Sequence, residues 1–170
     1  MTQTRLKSLN TLDTPEIKQG HLSEESQYLG FKIEQDEFLL SVELVREIVT
    51  LPLITCIPNS HIAIEGVIAL RGEIMPVINL RRILRFEKGD SRATARIIVI
   101  QLEEKGCYGL IVDEITDFLW LNQKEIEPIS NNFFSEEYHI LSGVAKIQQK
   151  VKGIVDARLV TRVWDQAGAA

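Results

Sequence analysis

The sequence carries the same block twice. Gly66-Val67-Ile68-Ala69-Leu70-Arg71-Gly72-Glu73-Ile74-Met75-Pro76-Val77-Ile78-Asn79-Leu80-Arg81 returns without a gap as Gly143 to Arg158, at an offset of 77 residues. Gly66 meets Gly143, Val77-Ile78 meets Ile154-Val155, Asn79 meets Asp156 and Arg81 meets Arg158. A second pair of segments precedes this one in the same order. Phe38 to Val49 runs beside Tyr108 to Leu119 at an offset of 70, with Glu43 meeting Asp113 and Glu47 meeting Asp117. Two ungapped blocks in one order mean a duplicated unit. A longer connection between Leu121 and Ser142 accounts for the change of offset.

Each copy reads as β-structure. Val67 to Leu70 and Ile74 to Ile78 are short apolar runs around Arg71-Gly72-Glu73, the pattern of a tight antiparallel hairpin. Pro76 lacks an N–H, so its strand is expected to be an edge there or bulged. Asn79 suits the N-cap of one helical turn, Leu80 to Leu84. Upstream, Leu29, Phe31 and Ile33 alternate with Gly30 and Lys32 as a strand. Asp36-Glu37 suits a tight turn, and Phe38 to Val42 returns, continuing as a bent strand to Val49. Thr50 to Ser60 holds Pro52 and Pro58 and reads as a connection. Asn59 or Ser60 is a candidate cap for a short helical turn through Ile64, closing at Gly66.

In the second half, Glu87 to Ser91 reads as a surface loop, Arg96 to Leu102 as a buried strand, and Cys107 to Val112 and Ile115 to Leu121 as strands. Gln123 to His139 is mostly loop. Asp156 caps a final helix with Leu159, Val160, Val163 and Trp164 on one face. About ten short strands in two similar sets, without alternating helices, predict an all-β fold. Each set alone is near the lower size limit for a stable core. Residues 1–26 read as a flexible polar arm, 27–165 as the folded domain built from repeats at about 28–86 and 95–164, and 166–170 as a frayed tail.

The search for chemistry turns up little. His21, His61 and His139 lie in the arm or in connections, and the sequence holds no C-x-x-C, H-x-x-x-H, P-loop or G-x-G-x-x-G pattern. Cys56 and Cys107 read as reduced thiols behaving as small apolar residues, which suits a cytoplasmic protein. Glu43/Glu47 and Asp113/Asp117 read as a solvated sheet face. No catalytic residue, metal ligand or cofactor site is indicated. A net charge of −5 and an aromatic content of 6% disfavour the reading of an orphan nucleic-acid-binding β-barrel. No segment is apolar for the length of a membrane span, so any membrane link is expected to run through a partner. Binding remains, because Phe38 to Val49 and Tyr108 to Leu119 are apolar on both faces. The second face meets either a mate barrel or a partner helix.

Gly-Val-x-x-Leu-Arg-Gly-x-x-x-Pro-Val-x-x-Leu-Arg, followed by Tyr108-Gly109-Leu110-Ile111-Val112-Asp113 and Leu141-Ser142-Gly143-Val144-Ala145-Lys146-Ile147, resembles the CheW family of chemotaxis coupling proteins, over roughly Gln27 to Trp164. Ala69 stands where the family usually has Asn, and Asn79 where it usually has Asp. The resemblance implies two five-stranded SH3-like barrels, intertwined by exchange of their C-terminal strands. It also implies a non-enzymatic adaptor between the cytoplasmic tip of methyl-accepting chemoreceptors and the regulatory domain of the histidine kinase CheA, with no cofactor. Val42, Val45, Glu47 and Ile48 match the part of the motif that lines the receptor groove. Arg71, flanked by Leu70 and Gly72, matches the kinase contact, with a merely solvated arginine as the alternative. A coupling protein of another chemosensory system, such as surface motility, is the neighbouring reading.

Overall fold

A computed structural model of the chain describes residues 25–86, 93–129 and 139–167. Most of the expected arm, the Glu87–Ser91 loop and the last residues of the expected tail lie outside them. Among the described residues, eleven strands run in the order β1 (Glu25–Ile33), β2 (Asp36–Ser41), β3 (Val45–Thr50), β4 (Ile64–Leu70), β5 (Glu73–Asn79), β6 (Arg96–Leu102), β7 (Gly106–Val112), β8 (Glu114–Asn122), β9 (Ile126–Pro128), β10 (Leu141–Ile147) and β11 (Lys150–Val155). Helix α1 (Leu80–Ile83) follows β5, and α2 (Ala157–Ala167) follows β11. Each caps as the sequence predicts. Asn79 Oδ1 accepts from Arg81 N at 3.1 Å, and Asp156 Oδ1 accepts from Arg158 N at 2.8 Å.

The strands form two sheets, ordered β8-β1-β2-β11-β10-β9 and β3-β6-β7-β5-β4. The two orders are the same once each strand is replaced by its counterpart in the other repeat, except that β9 adds a sixth strand beyond β10. β3 and β5 of the first repeat pair with β6 and β7 of the second. β1 and β2 of the first pair with β8 and β11 of the second. The repeats are therefore intertwined. The exchange is sealed by the two parallel ladders, β2 on β11 at Phe38 and Leu39, and β5 on β7 at Val77 to Asn79. Pro76 lies one residue before that second ladder begins and pairs only with Val67 of β4, as a residue without an N–H requires.

Strand alternation gives each sheet two apolar faces. Ile68, Met75, Val77, Ile97 and Val99 form a small core inside the β3–β7 sheet, joined by Val49 and Leu70. Strands from both edges of the sheet face this cluster, so the sheet is rolled around it. Tyr28, Leu39, Leu121, Ala145 and Ile154 fill the other sheet in the same way. The opposite faces meet in a third and larger core between the sheets, with Phe31, Phe38, Leu40, Ile78, Ile98, Ile100, Leu110, Val155, Val160 and Val163 among its buried members. Phe31 stacks on Phe38 with ring centroids 5.8 Å apart. Neighbouring residues thus serve different cores: Leu39 points into its own sheet and Leu40 into the shared core.

Several local expectations are corrected. The β1–β2 turn is Glu34-Gln35, not Asp36-Glu37: Ile33 pairs with Asp36 and Glu34 takes a φ of 55°. Asp36-Glu37 has the better turn composition, but register follows the buried pattern of Phe31, Ile33, Phe38 and Leu40. The expected helical turn from Asn59 or Ser60 to Gly66 does not form. Residues 62–63 are a turn and β4 already begins at Ile64, drawn into the sheet by Asn79 N donating to Ala63 O at 2.8 Å. The bent strand from Phe38 to Val49 is broken by a 3₁₀ turn, Val42–Leu44, where the chain passes from one sheet to the other. β1 begins at Glu25, ahead of the expected boundary, and α2 continues to Ala167.

Gly66 and Gly143 are equivalent in structure as in sequence. Each lies at a register shift, between Ile64 and Gly66 and between Leu141 and Gly143. Each also has a carbonyl of the preceding segment against the position where a Cβ would stand: Thr55 O at 2.2 Å for Gly66, and Glu127 O at 3.0 Å for Gly143. Gly66 adds a φ of 149°, a conformation that a side chain strains. Gly66→Ala is expected to cost about 3 kcal/mol in urea unfolding, against about 1 kcal/mol for Gly72→Ala, which also has positive φ but open space around it. Equal costs at the two sites would show that the Thr55 contact yields freely.

Candidate functional site

The two candidate groups from the sequence lie at one end of the β3–β7 sheet. Leu70 and Glu73 face each other across the β4–β5 hairpin, leaving Arg71 and Gly72 as a two-residue loop. Both have positive φ, 50° and 83°, which defines the primed turn that matches strand twist. Ala69 pairs regularly with Ile74, so its departure from the family pattern does not disturb the hairpin. The second hairpin keeps this backbone with different residues. Gln148 and Gln149 have φ of 48° and 67°, between the paired Ile147 and Lys150. The turn therefore does not require Arg-Gly.

Arg71 reaches across to β3. Its Nε donates to Glu47 Oε1 at 3.0 Å and its Nη2 to Glu47 Oε2 at 3.2 Å. This is a two-point fork, the geometry for which arginine is suited. The Arg71 side chain nevertheless stays 70% exposed, while that of Glu47 is 21% exposed. Arg71 is thus a surface arginine held by an internal partner. The fork joins one residue assigned to the kinase contact with one assigned to the receptor groove. Val45 and Ile48 stand on the opposite face of β3 from Glu47, and with Val42 they are half-buried and packed on the rim of the shared core. The second apolar face of Phe38 to Val49 thus meets the mate sheet through Phe38 and Leu40, and thins to a partly open rim along β3.

Of the paired carboxylates of the sequence, Glu43 and Asp117 are exposed as expected, whereas Glu47 and Asp113 are half-buried in ion pairs. Glu47 holds Arg71, and Asp113 holds Arg81 at 2.5 Å while accepting from Glu34 N at 2.7 Å. The thiols also divide: Cys107 is half-buried beside the inner core and Cys56 is exposed in the connection after β3. His61 Nδ1 accepts from Ala63 N at 3.1 Å, a local turn contact. Among the described residues no group of three or more His, Cys, Asp or Glu is placed to hold a metal ion, and no helix is long and apolar enough to cross a membrane.

Sequence reasoning missed the Arg46–Glu73 pair at this end of the molecule. Arg46 Nη1 donates to Glu73 Oε2 at 2.7 Å and to Cys107 Sγ at 3.0 Å. The available signal was the mirrored charge order, Arg46-Glu47 on one strand and Arg71-x-Glu73 on the hairpin. Also unforeseen are Phe118 and Trp120, which stand outward from β8 at 55% and 63% exposure, on the edge strand of the other sheet.

The counterpart end of that other sheet carries different chemistry. Lys150 and Lys152 both reach Glu37 on β2, at 2.6 and 2.9 Å. These hydrogen bonds hold the Glu37 carboxyl down to about 2 from an ordinary value of 4.5. A carboxyl depressed by folding stabilises the fold above its unfolded pKa and loses that contribution as pH falls through the folded one. The stability advantage of the native chain over Glu37→Gln is therefore expected to be full above about pH 5 and to vanish by about pH 2. Urea midpoints of both proteins across that range measure it. A difference independent of pH would exclude the charge pairing as its source.

The comparisons with known proteins agree with this architecture. The CheW-like domain family model matches residues 27–163. The chain is 30% identical to the chemotaxis protein CheW of Bacillus subtilis over 147 residues, 86% of this chain and 90% of that protein. It is 30% identical over 130 residues to the probable chemotaxis protein CheW of Rhizobium etli, covering 76% of this chain and 83% of the relative. The crystal structure of the scaffolding protein TtCheW from Thermoanaerobacter tengcongensis superposes with a TM-score of 0.70 at 28% identity, over 78% of this chain and 84% of that one.

Proposed function

The chain belongs to the CheW family of non-enzymatic chemotaxis scaffolding proteins, and from that premise we propose that it joins the cytoplasmic tips of methyl-accepting chemoreceptors to the regulatory domain of the histidine kinase CheA. On this reading it works in the cytoplasm and meets the membrane through the receptors. The observation that carries the reading is the Arg71–Glu47 fork. It fixes an exposed guanidinium at the hairpin tip through Glu47, a residue of β3, the strand whose opposite face carries the half-buried apolar residues Val45 and Ile48. An interface side chain already held in one conformation loses less freedom on binding, and arginine is enriched where interfaces concentrate their energy.

The two surfaces carry different physics. The rim offers apolar area to an amphipathic receptor helix, which lays its own apolar stripe into such a groove. The tip, with Leu70 and Gly72 around Arg71, offers a charge with a defined direction to the kinase domain. Contact at both by rigid bodies sets the relative position of receptor and kinase, and no chemical step is needed. Because Arg71 and Glu47 touch, a partner that pulls on one acts on the other.

Arg71→Glu is expected to leave the melting temperature within about two degrees and to weaken binding of the CheA regulatory domain by about tenfold or more. Titration calorimetry on the folded variant measures this, and an unaltered dissociation constant would remove Arg71 from the kinase surface. Val45→Asp tests the groove. A carboxylate at this half-buried site lowers stability by about 1–3 kcal/mol, with a native circular dichroism spectrum retained at 25 °C, and abolishes binding to receptor fragments. A folded variant that binds those fragments normally would defeat the groove assignment.

A further inference from the structure

The hairpin tip has little packing of its own. Nothing lies within 4 Å of where a Cβ on Gly72 would stand. The strand facing it, β3, is at the far edge of the sheet, and the ladder order β3-β6-β7-β5-β4 places no backbone pairing between β3 and the hairpin. Side chains close this gap. Arg71 forks onto Glu47, and Arg46 forks the opposite way onto Glu73, Nη1 to Oε2 at 2.7 Å and Nη2 to Oε1 at 3.5 Å. Arg46 is also held by a third strand through Cys107 Sγ at 3.0 Å, and that thiol donates to Gln101 Oε1 at 3.1 Å.

We propose that the Arg46–Glu73 pair is a positioning latch, which ties β3 to the first residue of β5 and so fixes the hairpin tip on which Arg71 stands. The functional half of this proposal rests on the reading of Arg71 as a kinase contact. Each arginine in the crossed arrangement faces the other's charge, so each carboxylate both attracts its partner and shields the neighbouring cation. An exposed ion pair contributes little to stability, but a bidentate pair in a charge network holds geometry.

The duplicated half of the molecule shows that the fold itself does not need the latch. The counterparts of Arg46, Glu47 and Glu73 are Thr116, Asp117 and Lys150. Thr116 Oγ1 donates to its neighbour Asp117 at 2.8 Å, and Lys150 turns to Glu37 on the adjacent ladder. Asp117 has one long contact towards the hairpin, 3.9 Å to Lys152. The crossed forks are found on the sheet whose hairpin carries Arg-Gly.

The test uses Arg46→Glu, Glu73→Arg and the charge-swapped double variant in the full chain. Each is measured by amide hydrogen exchange of the β4–β5 hairpin, by melting temperature, and by affinity for the CheA regulatory domain. Each single variant is expected to quicken exchange at the tip and to weaken kinase binding about fivefold, and the swap to restore both within about twofold. Melting shifts by less than about two degrees throughout. Unchanged exchange in the single variants, or quickened exchange that the swap does not restore, overturns the latch. Unchanged kinase affinity in the single variants, when Arg71→Glu does weaken binding, overturns its positioning role. If Arg71→Glu also leaves affinity unchanged, the kinase surface has been misassigned, and the exchange and rescue data alone decide the latch.

Discussion

The shared apolar core between the two sheets is the constraint on which the rest of the structure depends. Each repeat has strands that are apolar on both faces, and a thin sheet can roll around only one of them. Leu39, Ile97, Val99 and Ile154 turn inward to the small cores, while Leu40, Ile98, Ile100 and Val155 need a second cover. The exchange of strands supplies it. With β1 and β2 paired to the second repeat, and β6 and β7 to the first, the two sheets cannot separate without breaking ladders as well as losing apolar burial. Around the rim of this core Arg81 binds Glu34 and Asp113, each at 2.5 Å. It thereby ties the first repeat's helix to the β1–β2 turn and to the junction where the second repeat changes sheets.

An interleaved body of this kind suits a protein whose work is to hold partners in place. The half-buried rim along β3 is an extension of the shared core, so a helix docked there, as proposed, would lean on that packed core. The hairpin tip stands at the other extreme, clear of the core and held by ionic forks. Apolar packing holds the rim, whereas ion pairs tie the tip to β3. The two meet at Glu47, whose backbone belongs to β3 and whose carboxylate holds Arg71.

The sequence made visible what is local or periodic. The duplicated hairpins, the Asn79 and Asp156 caps and the constraint at Pro76 follow from chemistry within a few residues, and the structure reproduces them. The family's motif blocks led to the fold and to the scaffolding role. Partner choice among strands was not legible in the residues themselves, because Phe38-Leu39-Leu40 is as well suited to pair within its own repeat as across. It came only with the resemblance. The misplaced β1–β2 turn shows tertiary register overriding turn composition. The crossed forks were missed because pairing Arg46 with Glu73 requires knowing that the two edges of a rolled sheet come face to face.

The two hairpins show where function resides in a duplicated fold. Their backbones agree even in the positive φ of both loop residues, yet one turn is Arg71-Gly72 and the other Gln148-Gln149. Two side chains in the left-handed region cost more than one, so the second turn is the more strained while lacking the exposed fork. Stability therefore does not explain the Arg at the first tip, since the second copy folds with glutamine at the same position. The glycine after it eases the turn and leaves open space beside Arg71. An arginine beside such an opening, fixed from behind by Glu47 and standing next to an anchored Glu73, presents a charge whose direction is set before any partner arrives.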